Sequence, residues 1–527
     1  MCAHVIICGS DNMKSPTLLI ILDGYGIAAP SKYNAITLAK KPTLDRLFEL
    51  YPNTLLGATG QDVGLLDNKM SGSEAGHMNI GAGRIVPQDS YYVSKSIKDG
   101  SFFMNPALVG AVHHAKNNHG KFHVMGLMSD TDSPHSDPEH FRAILKLAKE
   151  NGIEEVYCHL FSDGRDSYPK SALTHLQNFR KIMSEEGIGK IASISGRFYA
   201  MDRAKNWDRL AMAYEAIVFG RGRIAQSAEE AINNAYKKGR TDEYIKPTVI
   251  MENGKPVAKI EKNDSIVFFN LRSDRARQFS KLFVANNKSS IITDDMPILD
   301  KIRDLYFVAL TNFGPDLDVH TVWSDQTLAG TLPMVLADFR QFYIAESEKY
   351  AHITYFFNGG YADPVNGEER LMIPSPKIDS YAKIPQMAAH HIKDHVLDSL
   401  ENDLYDFYAI NFANADMVGH TGDLAATVKA VEFIDEQIKE MAEEVIKRNG
   451  NLIITADHGN AECMFDAAAN QPNTFHTKNP VPFLLASDKF KGKKLSSDGV
   501  LGNIAPTILE IMETEKPKAM DKNSLLK

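Results

Sequence analysis

Cysteine is scarce in this chain of 527 residues: only Cys2, Cys8, Cys158 and Cys463, with no CxxC spacing among them. That suggests neither a disulfide framework nor a zinc finger and points to a reducing compartment, so a cytoplasmic location is expected. Long apolar runs are missing too. No window approaches the roughly 18 apolar residues that cross a bilayer, so no membrane partner is expected. The opening MCAHVIICGSDNMKS lacks the basic n-region and apolar stretch of a signal peptide and reads as a short extension or edge strand. Basic residues are in the minority: 58 Lys and Arg face 67 Asp and Glu, for a net charge of −9. A nucleic-acid backbone needs a basic surface, which sets nucleic acid aside as a partner. There is no internal repeat, no low-complexity run, and neither a Walker loop nor GxGxxG.

What the chain does contain is a series of short, continuous apolar runs. TLLIILDG (17–24), KFHVMGLMSD (121–130), EEVYCHLFSDGRD (154–166), IASISGR (191–197), SIVFFNLRSDR (265–275), DFYAINFANAD (406–416) and NLIITADHG (451–459) read as buried strands of parallel sheets. Helical patterns alternate with them, so the fold class is α/β. One unit is explicit. After the strand near 406–413, Val428, Val431, Ile434, Ile438, Met441 and Val445 recur at three- and four-residue steps on one helix face. Gly450 stands where a glycine would end that helix, and NLIITA follows. A crossover of this kind predicts two parallel neighbouring strands whose carboxyl ends share an edge, where open α/β sheets bind ligands. Boundaries are expected at Val86-Pro87 and at NFGPD (312–316). Between them, strand ends carry arginines; outside them, strand ends carry Asp and His. An arginine-lined domain (87–311) inserted into an acidic, His-bearing one (1–86 and 312–527) is therefore expected.

Three groups of residues carry candidate chemistry. Asp23, Asp416, His420, Asp457, His458 and His476 combine carboxylates with imidazoles, which suits Mn²⁺, Zn²⁺ or a related divalent ion. Singly, each Asp also fits a turn or helix cap and each His a surface or core-edge position. In MSGSEAGHMNIGAGR (70–84), glycines around Ser73 let the backbone approach an anion, while Ser71-x-x-Glu74 fits a capping box, the reading that the loop alone favours. Arg165, Asp166, Arg197, Arg203, Arg272 and Arg275, with His135, suggest a pocket for a small polyanion. The alternative is that each arginine pairs with a nearby carboxylate such as Asp202 or Asp274.

Taken together, SEAGHMNIGAGR, DGRD, GRFYAMDR, NLRSDRA, IPSPK, NFANADMVGH and TADHGNAE, in this order, resemble the cofactor-independent phosphoglycerate mutases of the alkaline phosphatase superfamily. The resemblance runs from LLIILDGYGI to FHTKNPVPF (475–483). It implies a phosphatase-like domain formed by both chain ends and an inserted phosphotransferase domain. It implies two divalent ions, Mn²⁺ first, with Mg²⁺, Co²⁺ or Zn²⁺ as alternatives. One ion falls to Asp416, His420 and His476; the other to Asp23, Ser73, Asp457 and His458. Ser73 is then the phosphorylated residue and Lys349 the lysine that reaches the phosphoryl group. Asp166 is then a proton acceptor, and His135, Arg165, Asp166, Arg197, Arg203, Arg272 and Arg275 contact substrate. The substrates implied are 3-phosphoglycerate and 2-phosphoglycerate, handled by a monomer in glycolysis and gluconeogenesis. The chain departs from the family pattern at Gly72 and Ala75, where Asn and Val are usual, and at TDSPHSD (131–137), where Asp137 replaces a second His. Rival readings are another phosphatase or phosphomutase of the superfamily, and a catalytically silent metal-binding scaffold.

Overall fold

Residues 15–67, 69–284, 302–314, 316–323, 327–378, 380–468 and 470–527 are described by a computed structural model. The edge strand or extension expected at the start lies outside them. The chain forms two compact units, Met1–Gln88 with Gln326–Lys527, and Asp89–Asp325. The second crossing falls later than NFGPD because Tyr306–Ala309 and His320–Thr321 still pair in parallel within the second unit's sheet.

The first unit is built on a sheet in the order Glu369–Ile373, Gln341–Glu346, Phe407–Phe412, Thr17–Leu22, Asn451–Thr455, Val481–Ala486, Asn53–Gly57, Gly499–Val500. The first five strands run parallel, and Val481–Ala486 is antiparallel to its neighbours. Continuous apolar runs such as TLLIIL are buried at every position, as strands covered on both faces must be. The crossover from Phe407–Phe412 to Asn451–Thr455 does leave its two strands parallel, but they are not neighbours. Thr17–Leu22, from the other end of the chain, lies between them and pairs with both. The carboxyl end that leads to Asp23 thus converges with the two others.

The connecting helix spans Leu424–Lys447, and Asp423 caps it by accepting from the Ala426 amide at 2.9 Å. Val431, Ile434, Ile438, Met441 and Val445 are buried along it. The left-handed residue that ends it is Asn449 (φ 54°), not Gly450. Gly450 is needed for close approach instead, since a Cβ there would lie 2.6 Å from the Pro16 carbonyl oxygen. Halfway along the helix, buried Asp435 accepts from the amides of Leu44 (2.7 Å) and Thr43 (3.0 Å), capping helix Pro42–Leu50, whose own N-cap residue supplies no side-chain bond. Asp435→Ala is expected to cost about 2–3 kcal/mol by stranding one buried and one half-buried donor at a helix N-terminus. Denaturant unfolding checks this; a change below about 0.5 kcal/mol would contradict it.

The second unit carries a sheet in the order His320–Thr321, Tyr306–Ala309, Ser265–Phe268, Phe122–Met128, Val156–Ser162, Lys190–Gly196, Thr248–Glu252, Arg223–Ala225, with Lys255–Pro256 paired to Thr248–Glu252. From His320–Thr321 to Lys190–Gly196 all pairings are parallel. The segments carrying His135, Arg165 and Asp166, Arg197, and Arg272 and Arg275 therefore leave four adjacent strands at the same edge.

Candidate metal centre and anion site

In the first unit the strand ends bring Asp23, Lys349, Asp416, Asp457 and His458 together with Ser73. Two glycines permit the approach. Gly24 (φ +74°) would set a Cβ 2.8 Å from the Asp416 Cα, and Gly76 would set one 2.7 Å from the Asp457 Cβ. Ser73 is the first residue of helix Ser73–Ala82. The N-cap is Gly72, with no side-chain bond, so the capping box suggested by Ser71 and Glu74 does not form.

The Ser73 hydroxyl is buried, 3.1 Å from Asp23 Oδ1 and 3.0 Å from His458 Nε2. His458 Nδ1 faces the Gly459 carbonyl at 3.3 Å and must carry the ring proton, so Nε2 is a lone pair. The single serine proton thus faces two acceptors. Lys349 Nζ donates to Ser73 Oγ (2.8 Å), Asp23 Oδ1 (2.7 Å) and Asp416 Oδ2 (2.6 Å).

The same reasoning applies to the second imidazole pair. His420 Nδ1 donates to the Thr474 carbonyl (2.7 Å) and His476 Nδ1 to the Ser71 carbonyl (2.7 Å). In neutral rings both Nε2 atoms are then lone pairs. They lie 3.1 Å apart, each 3.2 Å from Asp416 Oδ1. Three acceptors converging with no proton between them form a cation site. Buried Asp457 Oδ2 also has no hydrogen-bond partner. Three carboxylates face one ammonium, which leaves two negative charges uncompensated in a buried shell. The donor set fits divalent cations.

The titration behaviour follows from this crowding. Burial raises Asp23, as does the charge of Asp457. Burial also raises Asp416, but His420 and Lys349 outweigh it and hold the carboxyl well below its usual range. Asp416 in turn raises His420 against burial. Burial and the neighbouring His458 pull His476 down to about 4.

In the second unit, buried Arg197 donates to Asp163 (2.7 Å) and to Asp166. Burial and the Arg197 charge pull His135 down to about 4, so the ring is neutral and Nε2 accepts from Arg197 at 3.1 Å. Its Nδ1 is buried without a partner. Despite burial, the charge of Arg197 holds Asp166 well below its usual range, which makes it a weak base in this arrangement. Arg203 pairs with Asp274 at 2.8 Å, and Arg272 Nε lies 3.7 Å from the same carboxylate. Asp202 pairs with Arg209 instead. Exposed Arg165 lies 3.7 Å from Glu243. Arg275 donates to the Met201 carbonyl (3.3 Å) and makes no ion pair among the described residues. Burial, then Arg197, Arg203 and Arg165, pull it down to about 9. A guanidinium destabilised by three others marks a place for an anion.

Comparison with known proteins agrees with this chemistry. Residues 15–516 match the Metalloenzyme superfamily. The 2,3-bisphosphoglycerate-independent phosphoglycerate mutase of Clostridioides difficile is 48% identical over 98% of this chain and 99% of its own length. The Clostridium novyi protein of that name is 45% identical over 98% and 100%. The chain belongs to the 2,3-bisphosphoglycerate-independent phosphoglycerate mutases. Among solved structures, a Leishmania mexicana phosphoglycerate mutase studied at low cobalt concentration superposes with a TM-score of 0.85, at 27% identity, over 98% of this chain and 99% of that one. The α/β architecture of the family is therefore present, and family and donor set agree on divalent-metal binding. Among the described residues no helix is long and apolar enough to cross a membrane.

Four residues of this mutase's sites escaped sequence reading. His77, Asn411 and Asn460 line the metal centre, and Asp163 organises the arginine cluster. Asp163 also accepts from the amides of Arg165 (3.1 Å) and Asp166 (3.0 Å), so it shapes the DGRD loop. His77 sits four residues after Ser73, on the same helix face, and that spacing was the available signal.

Proposed function

We propose that the chain interconverts 3-phosphoglycerate and 2-phosphoglycerate without a bisphosphoglycerate cofactor, through a phosphoserine at Ser73. The observation that carries this reading is the Ser73 hydroxyl, whose one proton faces two acceptors while Lys349 Nζ lies 2.8 Å from its oxygen. Asp416, His420 and His476 would hold one divalent ion, and Asp23, Ser73, Asp457 and His458 the other, Mn²⁺ first and Mg²⁺, Co²⁺ or Zn²⁺ as alternatives. Bound there, such ions supply positive charge against the transferring phosphoryl group and lower the proton affinity of the serine hydroxyl.

The rest is assigned to the chain's own groups. Ser73 Oγ loses its proton and bonds to phosphorus as the bond to the C3 oxygen of the substrate breaks; that oxygen takes up a proton. Lys349 offsets the charge on the phosphoryl oxygens. Arg275, Arg203, Arg272 and Arg165 bind the glycerate carboxylate and the incoming phosphoryl charge, and the unpartnered Nδ1–H of His135 offers a further donor. Asp166 holds Arg197 and accepts the hydrogen bond of a substrate hydroxyl. The C2 hydroxyl then gives up its proton as it bonds to phosphorus, the Oγ–P bond breaks, and Ser73 Oγ takes up a proton to regenerate the serine. The chain acts as a monomer on this small-molecule pair.

Bidentate arginine–carboxylate pairs should retain glycerate longer than rephosphorylation takes. The test mixes carbon-labelled 3-phosphoglycerate with unlabelled substrate carrying heavy phosphate oxygens. Early 2-phosphoglycerate is expected to keep the labels apart. Doubly labelled product, or free phosphate released at a comparable rate, would contradict retention and favour a phosphatase. Arg275→Ala is expected to weaken kcat/KM by on the order of 10–100-fold, the worth of a charge-assisted pair, with metal content unchanged by elemental analysis. Lost metal would mean that the two sites were divided wrongly.

A further inference from the structure

By distance alone Asp23, His77 and Asp457 also form a candidate cation group. The hydrogen bonds argue otherwise. Asn411, fully buried in strand Phe407–Phe412, donates from Nδ2 to Asp23 Oδ2 (2.9 Å) and approaches His77 Nε2 at 3.0 Å. The amide cannot be reversed, because its oxygen would then face a carboxylate oxygen. His77 Nε2 is therefore the acceptor and its lone pair is spent. Nδ1 carries the proton and donates it to the Ser73 carbonyl at 2.9 Å; Asp457 Oδ2 lies 3.2 Å away without accepting a hydrogen bond. His77 has no lone pair left for a metal.

We propose that Asn411 and His77 are a positioning pair that sets the rotamer of Asp23 and anchors the helix turn carrying Ser73, and that His77 is not a ligand. Through this pair one strand end, one helix and a second strand end are held in a single register. Asp23 is left with Oδ1 turned toward Ser73 and Lys349. The oxygens that face a cation are thereby chosen before any cation arrives. Outer-shell partners of this type are worth about 10–100-fold in metal affinity.

The inference rests on the metal-binding reading above. The test therefore titrates Mn²⁺ into apo wild-type, His77→Gln, Asn411→Ser and the double variant by calorimetry, with far-ultraviolet circular dichroism on each. The expected result is unchanged stoichiometry, an affinity about 10–100-fold weaker in each single variant, and a double variant little worse than either, as for one unit. Loss of one metal equivalent in His77→Gln would make His77 a ligand and overturn the proposal. Wild-type affinity in folded variants would overturn it as well, as would fully additive losses. Failure of either single variant to fold leaves the other to decide by the same measure, and failure of both would overturn the proposal in favour of a structural role. Absence of Mn²⁺ binding in the wild-type protein would instead remove the metal reading itself.

Discussion

Ser73→Ala is expected to lower mutase turnover by roughly four orders of magnitude or more, because the hydroxyl is the proposed covalent acceptor and no neighbour replaces it. The fold should survive. The substitution removes one small polar group at a helix start, and Lys349 keeps its bonds to Asp23 and Asp416. The expected stability change is about 1 kcal/mol. Steady-state assays, with metal content and thermal unfolding measured on the same preparation, separate lost chemistry from lost structure. Near-normal turnover in the metal-loaded variant would remove Ser73 from the mechanism.

Metal removal should have an effect of similar size. Chelation is expected to abolish activity, and Mn²⁺ to restore it. The acid side has a definite sign. Asp416 raises the proton affinity of His420 above its ordinary value, so the proton competes with metal at higher pH than it would at an ordinary imidazole. His476, pulled down to about 4, competes only in strong acid. Occupancy and activity should therefore be present above the raised His420 value and fall as pH drops through it. For one proton released on binding, tenfold more Mn²⁺ moves the acid limb down by about one pH unit. A limb that ignores metal concentration would assign it to a general acid or base. His420→Ala should lose one metal equivalent, and retained stoichiometry would contradict its place in the site.

Much of the fold was legible because buried parallel strands are continuous apolar runs, and TLLIIL or NLIIT admit few other readings. The chemistry-bearing Asp and His residues stand directly after those runs, where a crossover forces shared edges. Strand order was not legible. Thr17–Leu22 slots between strands that begin at Phe407 and Asn451, far along the chain, and nothing in its own sequence names its neighbours. Local signals also misled. Gly450 looked like a helix terminator, but Asn449 takes the left-handed conformation while glycine is required there for packing. Ser71 looked like a cap, yet Gly72 holds the N-cap and Ser73 opens the helix. His77, Asn411 and Asp163 act through other side chains, so their value appears only when their partners are placed in space. Asn411 in particular reads as one polar residue inside an apolar strand.

The phosphoserine itself offers the most direct measurement. Metal-loaded enzyme is mixed with 3-phosphoglycerate, quenched in acid within a turnover, digested, and mapped by mass spectrometry. The expected result is phosphate on the peptide spanning residues 70–84, localised to Ser73, and absent from the Ser73→Ala variant. Phosphate on another residue, or full turnover with no phosphorylated peptide at any quench time, would contradict the account.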